Sequence, residues 1–318
     1  MILFTADWHL KLGQKNVPIE WACARYKMFF DQIQELENDC DMHIIGGDLF
    51  DRIPSMDELT LYFDFISGIT IPTLIYDGNH EATRKNNTFF TNLKKATQEI
   101  NPLVEIIDTT TIYQTKGFAI LPYADLHKKG SIEAIDDIPF LFTHVRGEIP
   151  PHVISEVDLD RFNRFDIVFA GDLHAHANTQ RNIVYPGSPM TTSFHRSQVK
   201  TGCLLIDNDW SWEWRELILP QLIRKTVDNP DDMIQTTFDH TIYELEGDVQ
   251  DLAKVKNSEL LDKKVVKRQV EARLNLTADM TIGDELVLYL QDILNLDDIK
   301  TKNIIGVFND YSTEVTLG

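Results

Sequence analysis

Short apolar runs that end in polar residues alternate with helical stretches through the first part of this chain. Ile2–Ala6, His43–Gly47 and Thr70–Tyr76 are rich in β-branched and aromatic residues, as buried strands are. Apolar residues at helical spacing fill the first interval, and a capping-box sequence at Ser55–Glu58 opens a helix in the second. This order predicts a mostly parallel sheet covered by helices.

The pattern changes to shorter apolar runs after residue 103. The predicted strands here are Val104–Ile107, Phe118–Leu121, Pro139–Thr143 and Ile167–Ala170, followed by a hairpin of Gly202–Asp207 and Trp210–Glu216. We therefore predict an α/β fold in which two sheets pack face to face and are covered by helices.

Polar motifs stand where these predicted strands end. They are Asp7-Trp8-His9, the segment Gly47–Asp51, Gly78-Asn79-His80-Glu81, a single His144, and the segment Gly171–His176. Ligands of open α/β sheets bind outside the carboxyl ends of the strands, so we expect these side chains to converge at one edge.

The residue types in these motifs suit metal binding. Carboxylate, imidazole and amide donors without sulfur favour hard or borderline cations such as Mn²⁺, Fe²⁺, Mg²⁺ or Zn²⁺. Two cations about 3.5–4 Å apart, bridged by an aspartate, can activate water and offset charge on phosphoryl oxygens. No nucleophile-elbow or P-loop sequence offers a competing mechanism. The motifs therefore predict cleavage of phosphate esters.

Each motif alone also has a structural explanation. Gly-Asp and Gly-Asn-His are common turn sequences, and a lone His144 is more often a buried, hydrogen-bonded histidine than a ligand. The succession of all five motifs along the chain, four directly after apolar runs, favours the metal site.

The overall charge restricts the partners of this chain. Fifty acidic residues against 30 basic ones give a formal charge of −20. Such a surface repels nucleic acid, because DNA binding depends largely on neutralising phosphates. A nuclease of this composition needs a local basic strip, bound divalent metal or a basic partner.

Cysteine usage and hydropathy bear on the cellular compartment. Cys23, Cys40 and Cys203 lie far apart, which favours a reducing cytoplasm over a disulfide framework. No stretch approaches the ~20 apolar residues of a membrane span. The first residues read as a strand and not as a signal peptide. We expect a cytoplasmic protein without a membrane segment.

The motif series is similar to that of calcineurin-like metallophosphoesterases. Ala6–Leu10, Gly46–Asp51 and Tyr185–Pro189 narrow the resemblance to SbcD-type DNA nuclease subunits, over about residues 1–215. The resemblance implies a four-layer double-sheet sandwich with a smaller α+β cap domain. It also implies exonuclease and endonuclease activity in DNA end processing, recombination, repair and replication. The short length and Asp172 favour a phage-encoded member, acting in the host cytoplasm.

The resemblance also implies roles for individual residues. The implied ligands are Asp7, His9 and His174 for one ion and Asn79, His144 and Asp172 for the other, with Asp48 bridging. His80 is not implied as a ligand; it stabilises the transition state or protonates the departing sugar oxygen. The two ions are implied to be divalent, with Mn²⁺ favoured and Mg²⁺ as the alternative.

The ligand register after residue 171 stays open. Most relatives have a histidine where this chain has Asp172, so the pair is either Asp172 with His174 or His174 with His176. Keeping the glycine and the strand end in place favours Asp172 with His174, and His176 is the alternative ligand.

Basic residues mark candidate DNA contacts in this acidic chain. They are Arg84 and Lys85 just after the Gly78–Glu81 motif, Arg196 after the last motif, and Lys263, Lys264, Lys267 and Arg268 in the cap. A solvated charged face explains the last group equally well. The expected domains are a nuclease domain at 1–218, a DNA-positioning cap at 219–280 and C-terminal helices at 281–318.

The resemblance also implies partners. The C-terminal helices are expected to dock on an SbcC-like, SMC-type ATPase or to complete the core of the cap. A homodimer within a heterotetramer is the implied assembly. Two other functions stay open: a metallophosphatase or small-molecule phosphodiesterase of the same superfamily, and a non-catalytic scaffold. The retained Asp48, Asn79 and His80 disfavour the scaffold.

Overall fold

The computed structural model describes residues 1–84, 87–266, 276 and 280–314. The chain divides into two compact units, Met1–Val265 and Val266–Gly318. No helix of the described residues has the length and apolar character needed to cross a membrane. The expected domain boundaries after residues 218 and 280 stay predictions.

The described strands alternate with helices along the first unit. In chain order the strands are β1 (Ile2–Thr5), β2 (Met42–Gly46), β3 (Thr73–Tyr76), β4 (Ala82–Arg84), β5 (Asn87–Thr88), β6 (Val104–Ile107), β7 (Thr111–Tyr113), β8 (Phe118–Leu121), β9 (Phe140–His144), β10 (Ile167–Gly171), β11 (Ile183–Val184), β12 (Gly202–Ile206), β13 (Trp212–Glu216), β14 (Leu222–Val227), β15 (His240–Gly247) and β16 (Leu261–Val266). The helices are α1 (Ile19–Glu37), α2 (Met56–Gly68), α3 (Phe90–Ile100), α4 (Tyr123–Leu126), α5 (Val249–Lys254), α6 (Ile282–Leu288) and α7 (Asp298–Glu314).

Two sheets form the body of the first unit. The larger sheet has the order β13-β12-β1-β2-β3-β6, and the second has the order β11-β10-β9-β8-β7. Strands β1, β2, β3 and β6 are parallel, as are β8 to β11. The expected hairpin is present as β12 and β13, and Trp210 after its Asn-Asp turn has a φ of 67°. The predicted double-sheet α/β fold is confirmed.

Three apolar clusters occupy the interfaces between the layers. Phe4, Phe142 and Phe169 pack between the two sheets, with ring centroids 5.1–6.2 Å apart. A second cluster fills the space between the larger sheet and helices α1 and α2. The third covers the other sheet with short elements, α4 and a 3-10 helix at Leu159–Arg164. Each fully buried phenylalanine contributes about 1.5–3 kcal/mol.

A smaller sheet, β14-β15-β16, continues the first unit and carries α5. It is joined to the rest of the unit through His195, which pairs with Ile223 of β14. In the second unit, a capping box between Thr281 and Asp284 begins α6. The helix then changes to a π-helical turn at Tyr289–Ile293.

Candidate metal centre

The polar motifs of both sheets meet at the carboxyl ends of their strands. Asp7, Asp48 and Asn79 follow β1, β2 and β3 of the larger sheet, while His144 ends β9 and Asp172 follows β10. Because parallel strands present these ends at the same edge, motifs separated by more than a hundred residues lie together. The expected convergence is present in the structure.

The first group of donors consists of Asp7, His9 and His174. Their ligand atoms lie within 4.8 Å of one another. The Nε2 atoms of the two histidines are 3.0 Å apart, and the two rings are nearly edge to face. Two ring nitrogens at this distance can share a proton or a cation, and a carboxylate beside them favours a cation.

Asp48 lies between this group and a second group, which contains His144 and Asn79. Its Oδ2 is 3.5 Å from Nε2 of His144 and 3.7 Å from Nε2 of His9. The Nδ1–H of His144 donates to the carbonyl of Gly46, which leaves Nε2 facing Asp48 and 3.1 Å from Oδ1 of Asn79. A backbone acceptor of this kind orients a metal-ligating histidine.

The backbone at the candidate ligands is strained. Asp7, His9, Asp48 and Asp172 have φ values of 56°, 48°, 51° and 104°. Non-glycine residues adopt such angles rarely, at a cost of about 1–3 kcal/mol each, and they concentrate at functional sites. The surrounding structure therefore holds these four residues in place for a reason other than local stability.

Glycines allow the strand ends to approach each other. A Cβ on Gly171 would lie 2.6 Å from Nδ1 of His144, and one on Gly78 would collide with the carboxylate of Asp48. Gly47 has a φ of 83° and the same proximity to His144. The glycines that open these motifs are required by the packing of the donors.

Burial and mutual repulsion perturb the acids and bases of this site. Burial raises the pKa of Asp7 well above its usual value, and the nearby Asp48 and Asp172 add to the rise. Although burial opposes it, Asp48 holds the pKa of His144 far above normal and is itself kept below normal. Desolvation by the surrounding side chains and the adjacent His9 lower the pKa of His174 to about 4, although part of the residue is exposed to solvent. A divalent cation bound here would replace the protons that Asp7 and His144 retain, because metal ligands must be deprotonated.

His80 stands at the open side of the centre. Its side chain is 35% exposed, and its Nε2 lies 3.8 Å from Oδ2 of Asp48. The backbone N–H of His80 donates to Oδ1 of Asp48, and its Nδ1–H donates to the carbonyl of Asp51. The ring is thereby held with Nε2 on the side of Asp48.

The residues after β10 take distinct positions. Asp172 forms an ion pair with Arg146, and its Oδ1 is 3.9 Å from Nε2 of His144. His176 turns away: its Nδ1–H donates to the carbonyl of Tyr185, and its ring stacks on Trp214. The geometry supports the register of Asp172 with His174.

Two acidic residues near the centre have roles that the sequence did not reveal. The buried carboxylate of Glu81 accepts backbone N–H groups from Asp48, Phe50 and Gly78, and so joins two ligand loops. Asp51 lies 3.6 Å from Nδ1 of His9 and pairs with Lys11. The only available signal was their place inside the motifs.

The expected DNA contacts that the structure describes fall into two sets. Arg196 and Lys263 both pair with Glu244 of β15, and Lys264 is exposed on β16. Arg84 is the last residue of β4, in the segment that follows His80. Lys85, Lys267 and Arg268 lie outside the described residues.

The chain is similar to known phosphoesterases and nuclease subunits, and the matched residues include the donors described above. Residues 1–191 match the family of calcineurin-like phosphoesterases. A protein of Escherichia phage T5 named Probable exonuclease subunit 1 is 41% identical over 308 residues, which cover 93% of each chain. The SbcD component of the SbcCD nuclease from Staphylococcus saprophyticus is 24% identical over 247 residues, or 65% of each chain.

Proposed function

The chain belongs to the calcineurin-like phosphoesterase family, and from this premise we propose that it is a metal-dependent DNA nuclease subunit. The observation that carries the proposal is the convergence of His9, Asp48, His144 and His174 where the strands of the two sheets end. Similarity to the phage T5 exonuclease subunit along 93% of the chain supports DNA as the substrate. We expect exonuclease activity, with endonuclease activity at the same centre.

Two divalent cations are proposed to occupy the donor set. Asp7, His9 and His174 would hold one, and Asn79, His144 and Asp172 the other, with Asp48 shared. Nitrogen and oxygen donors without sulfur favour Mn²⁺, with Mg²⁺ as the alternative. When bound, such a pair activates water as the nucleophile and offsets charge on the phosphoryl oxygens.

His80 is proposed to assist departure of the sugar oxygen. Its ring is fixed by hydrogen bonds to the carbonyl of Asp51 and from its own backbone to Asp48. Its side chain is partly exposed, and its Nε2 lies 3.8 Å from Oδ2 of Asp48, so a phosphodiester at the centre would be within reach of this nitrogen. In the imidazolium form, Nε2 can donate a proton to the leaving oxygen.

A basic cluster on the small sheet is proposed to hold the DNA backbone. Arg196, Arg224 and Lys263 surround the buried carboxylate of Glu244, at 2.8, 3.7 and 2.9 Å. Arg224 also pairs with Asp262 at 3.0 Å, so three cations face two carboxylates and leave one net positive charge on a chain with a net charge of −20. The fixed side chains can contact phosphates without sequence preference. Residues 219–280 are accordingly proposed as a DNA-positioning cap.

A partner ATPase is proposed to act with this subunit. The similar proteins are named as subunits, one of them of SbcCD. In the second unit, Ile282, Ile299 and Val307 expose 73%, 75% and 57% of their surfaces. We propose that residues 281–318 dock on an SbcC-like, SMC-type ATPase in a heterotetramer with two copies of this chain. The complex would process DNA ends during recombination, repair and replication in the cytoplasm.

Release of nucleotides from end-labelled duplex DNA with Mn²⁺ tests the proposal. The wild type should degrade the DNA, whereas Asp48→Ala and His80→Ala should each abolish degradation. Thermal unfolding of each variant controls for misfolding. The alternative outcome is that the DNA stays intact, even with the ATPase and ATP, while a small phosphodiester is cleaved. That outcome would reject the nuclease function and favour a small-molecule phosphodiesterase. Inactivity toward both would favour a scaffold.

A further inference from the structure

Arg146 forms the one guanidinium contact with the buried carboxylates of the centre among the described side chains. Its Nε lies 3.2 Å from Oδ2 of Asp172, and its Nη2 lies 3.2 Å from Oδ1. The guanidinium thus engages both oxygens of a side chain that is only 6% exposed. Such side-on pairs are the strongest Arg–carboxylate contacts.

The backbone of Arg146 is anchored in the same region. Its N–H donates to Oε1 of Glu156, whose Oε2 accepts from the Tyr123 hydroxyl and lies 3.4 Å from Nε2 of His127. Arg146 also follows His144 by two residues at the end of β9. The guanidinium is therefore held beside the second cation position by the strand that supplies a ligand.

The two proposed cation positions differ in their electrostatics. Around the first position, the charges that face Asp7 come from His144, Asp48 and Asp172, and no lysine or arginine pairs with it among the described residues. The second position shares Asp172 with a permanent positive charge. A cation there must compete with Arg146 for the Asp172 oxygens and is repelled by its charge.

We propose that Arg146 is a positioning residue that makes the two cation positions unequal, by lowering the affinity of the position formed by His144, Asn79 and Asp172. This inference rests on the proposed metal centre. It predicts that the position at His9 and His174 fills first as the cation concentration rises. The second position then sets the concentration of cation at which the centre becomes complete.

A residue that only orients a ligand would have the opposite effect. Partners that accept a hydrogen bond from a metal-ligating histidine raise metal affinity. Arg146 instead donates to a carboxylate, which lowers the electron density that its oxygens offer to a cation. The sign of the effect therefore distinguishes charge competition from orientation.

Calorimetric titration of the metal-free full-length protein with Mn²⁺ tests the inference. The wild type should show a tight and a weak site. Arg146→Gln should tighten the weak site roughly tenfold, which corresponds to about 1.4 kcal/mol, and leave the tight one unchanged. Arg146→Lys keeps the charge and should retain the weak site. Arg161→Gln is the matched control, since Arg161 pairs side-on with Glu133 at 2.8 Å on the surface.

The outcomes separate this inference from the proposed function. Weakened or unchanged binding in Arg146→Gln would overturn the inference while two Mn²⁺ ions still bind the wild type. Absence of Mn²⁺ binding in the wild type would remove the metal centre itself. In an Asp172→Asn background, Arg146→Gln should have a smaller effect than in the wild type, because only the repulsion by its charge remains. An undiminished effect would show that Arg146 does not act through Asp172.

Discussion

The Nε2 atoms of His9 and His174 lie 3.0 Å apart, although 165 residues separate them in the chain. One nitrogen comes from the loop after β1 and the other from the loop after β10, so the contact joins the two sheets. A single shared cation, as proposed above, would account for both nitrogens pointing at the same place.

Alanine substitution of His174 and of His176, one at a time, tests which residues after β10 are metal ligands. His174→Ala should abolish hydrolysis and lower Mn²⁺ affinity at least about tenfold, because a direct ligand is lost. His176→Ala should leave both unchanged, since this ring packs on Trp214. Mn²⁺ calorimetry and DNA degradation are the measurements. Loss of activity and affinity in both variants would favour the register of His174 with His176, and loss in His176→Ala alone would exclude His174 as a ligand.

Substitution of His80 separates catalysis from metal binding. His80→Gln should lower kcat by about 10²–10⁴-fold, the range for a lost general acid. The same variant should bind two Mn²⁺ ions with wild-type affinity, whereas Asp48→Asn should lose affinity as well as activity. Loss of a bound ion from His80→Gln would contradict the role as proton donor and make His80 a ligand.

Glu81 is expected to stabilise the ligand loops. Its carboxylate accepts three buried N–H groups, and a glutamine offers only one accepting oxygen. Glu81→Gln should therefore lower the free energy of unfolding by about 1–3 kcal/mol, the cost of an unsatisfied buried donor. Chemical denaturation measures the loss. Glu99→Gln on the surface of α3 is the control. Equal stability of the two variants would exclude this stabilising role of Glu81.

The affinity for cations should rise with pH. The pKa values of Asp7 and His144 lie above normal in the metal-free protein, so both groups hold protons up to a higher pH than usual. Because a bound cation needs them deprotonated, its uptake releases protons. Mn²⁺ calorimetry between about pH 6 and pH 8 should show tighter binding at the higher pH. Affinity independent of pH would contradict this coupling.

The basic cluster predicts a change in the salt dependence of DNA binding. A plot of the logarithm of the binding constant against that of salt concentration has a slope of about −0.9 for each phosphate contact. Lys263→Gln or Arg196→Gln should each reduce the slope by about that amount, as measured with a catalytically inactive Asp48→Asn chain. Lys95→Gln on α3 is the control for charge alone. Unchanged slopes in the first two variants would show that this basic cluster does not contact the DNA phosphates.

Much of the centre could be predicted because each motif is local. A glycine and an acid or amide at the end of an apolar strand carry their signal within a few residues, as at Gly47 and Asp48. The role of Glu81 could not be predicted in the same way, because its carboxylate accepts hydrogen bonds from N–H groups that lie 31 and 33 residues away in the chain. Arg146 carried no signal, since a single arginine after a histidine has no typical spacing.

The fold shows the same division between local and distant causes. The predicted strand Thr70–Tyr76 begins only at Thr73, because Pro72 has no N–H to donate to a neighbouring strand. Helix α3 was not predicted, and the short strand β7 depends on antiparallel pairing with β8. These elements are stabilised by packing that becomes available only once the sheet has formed.

The distance along the chain between the two halves of the centre has a consequence for protein synthesis. The loop of His174 is completed by Ser188, whose hydroxyl binds the carbonyl of Asp7 and whose N–H binds that of His174. A chain emerging from the ribosome cannot assemble this arrangement before residue 188 has been made. Contacts of such separation form late in folding. The growing polypeptide therefore cannot complete the proposed metal centre until about three fifths of it has been translated.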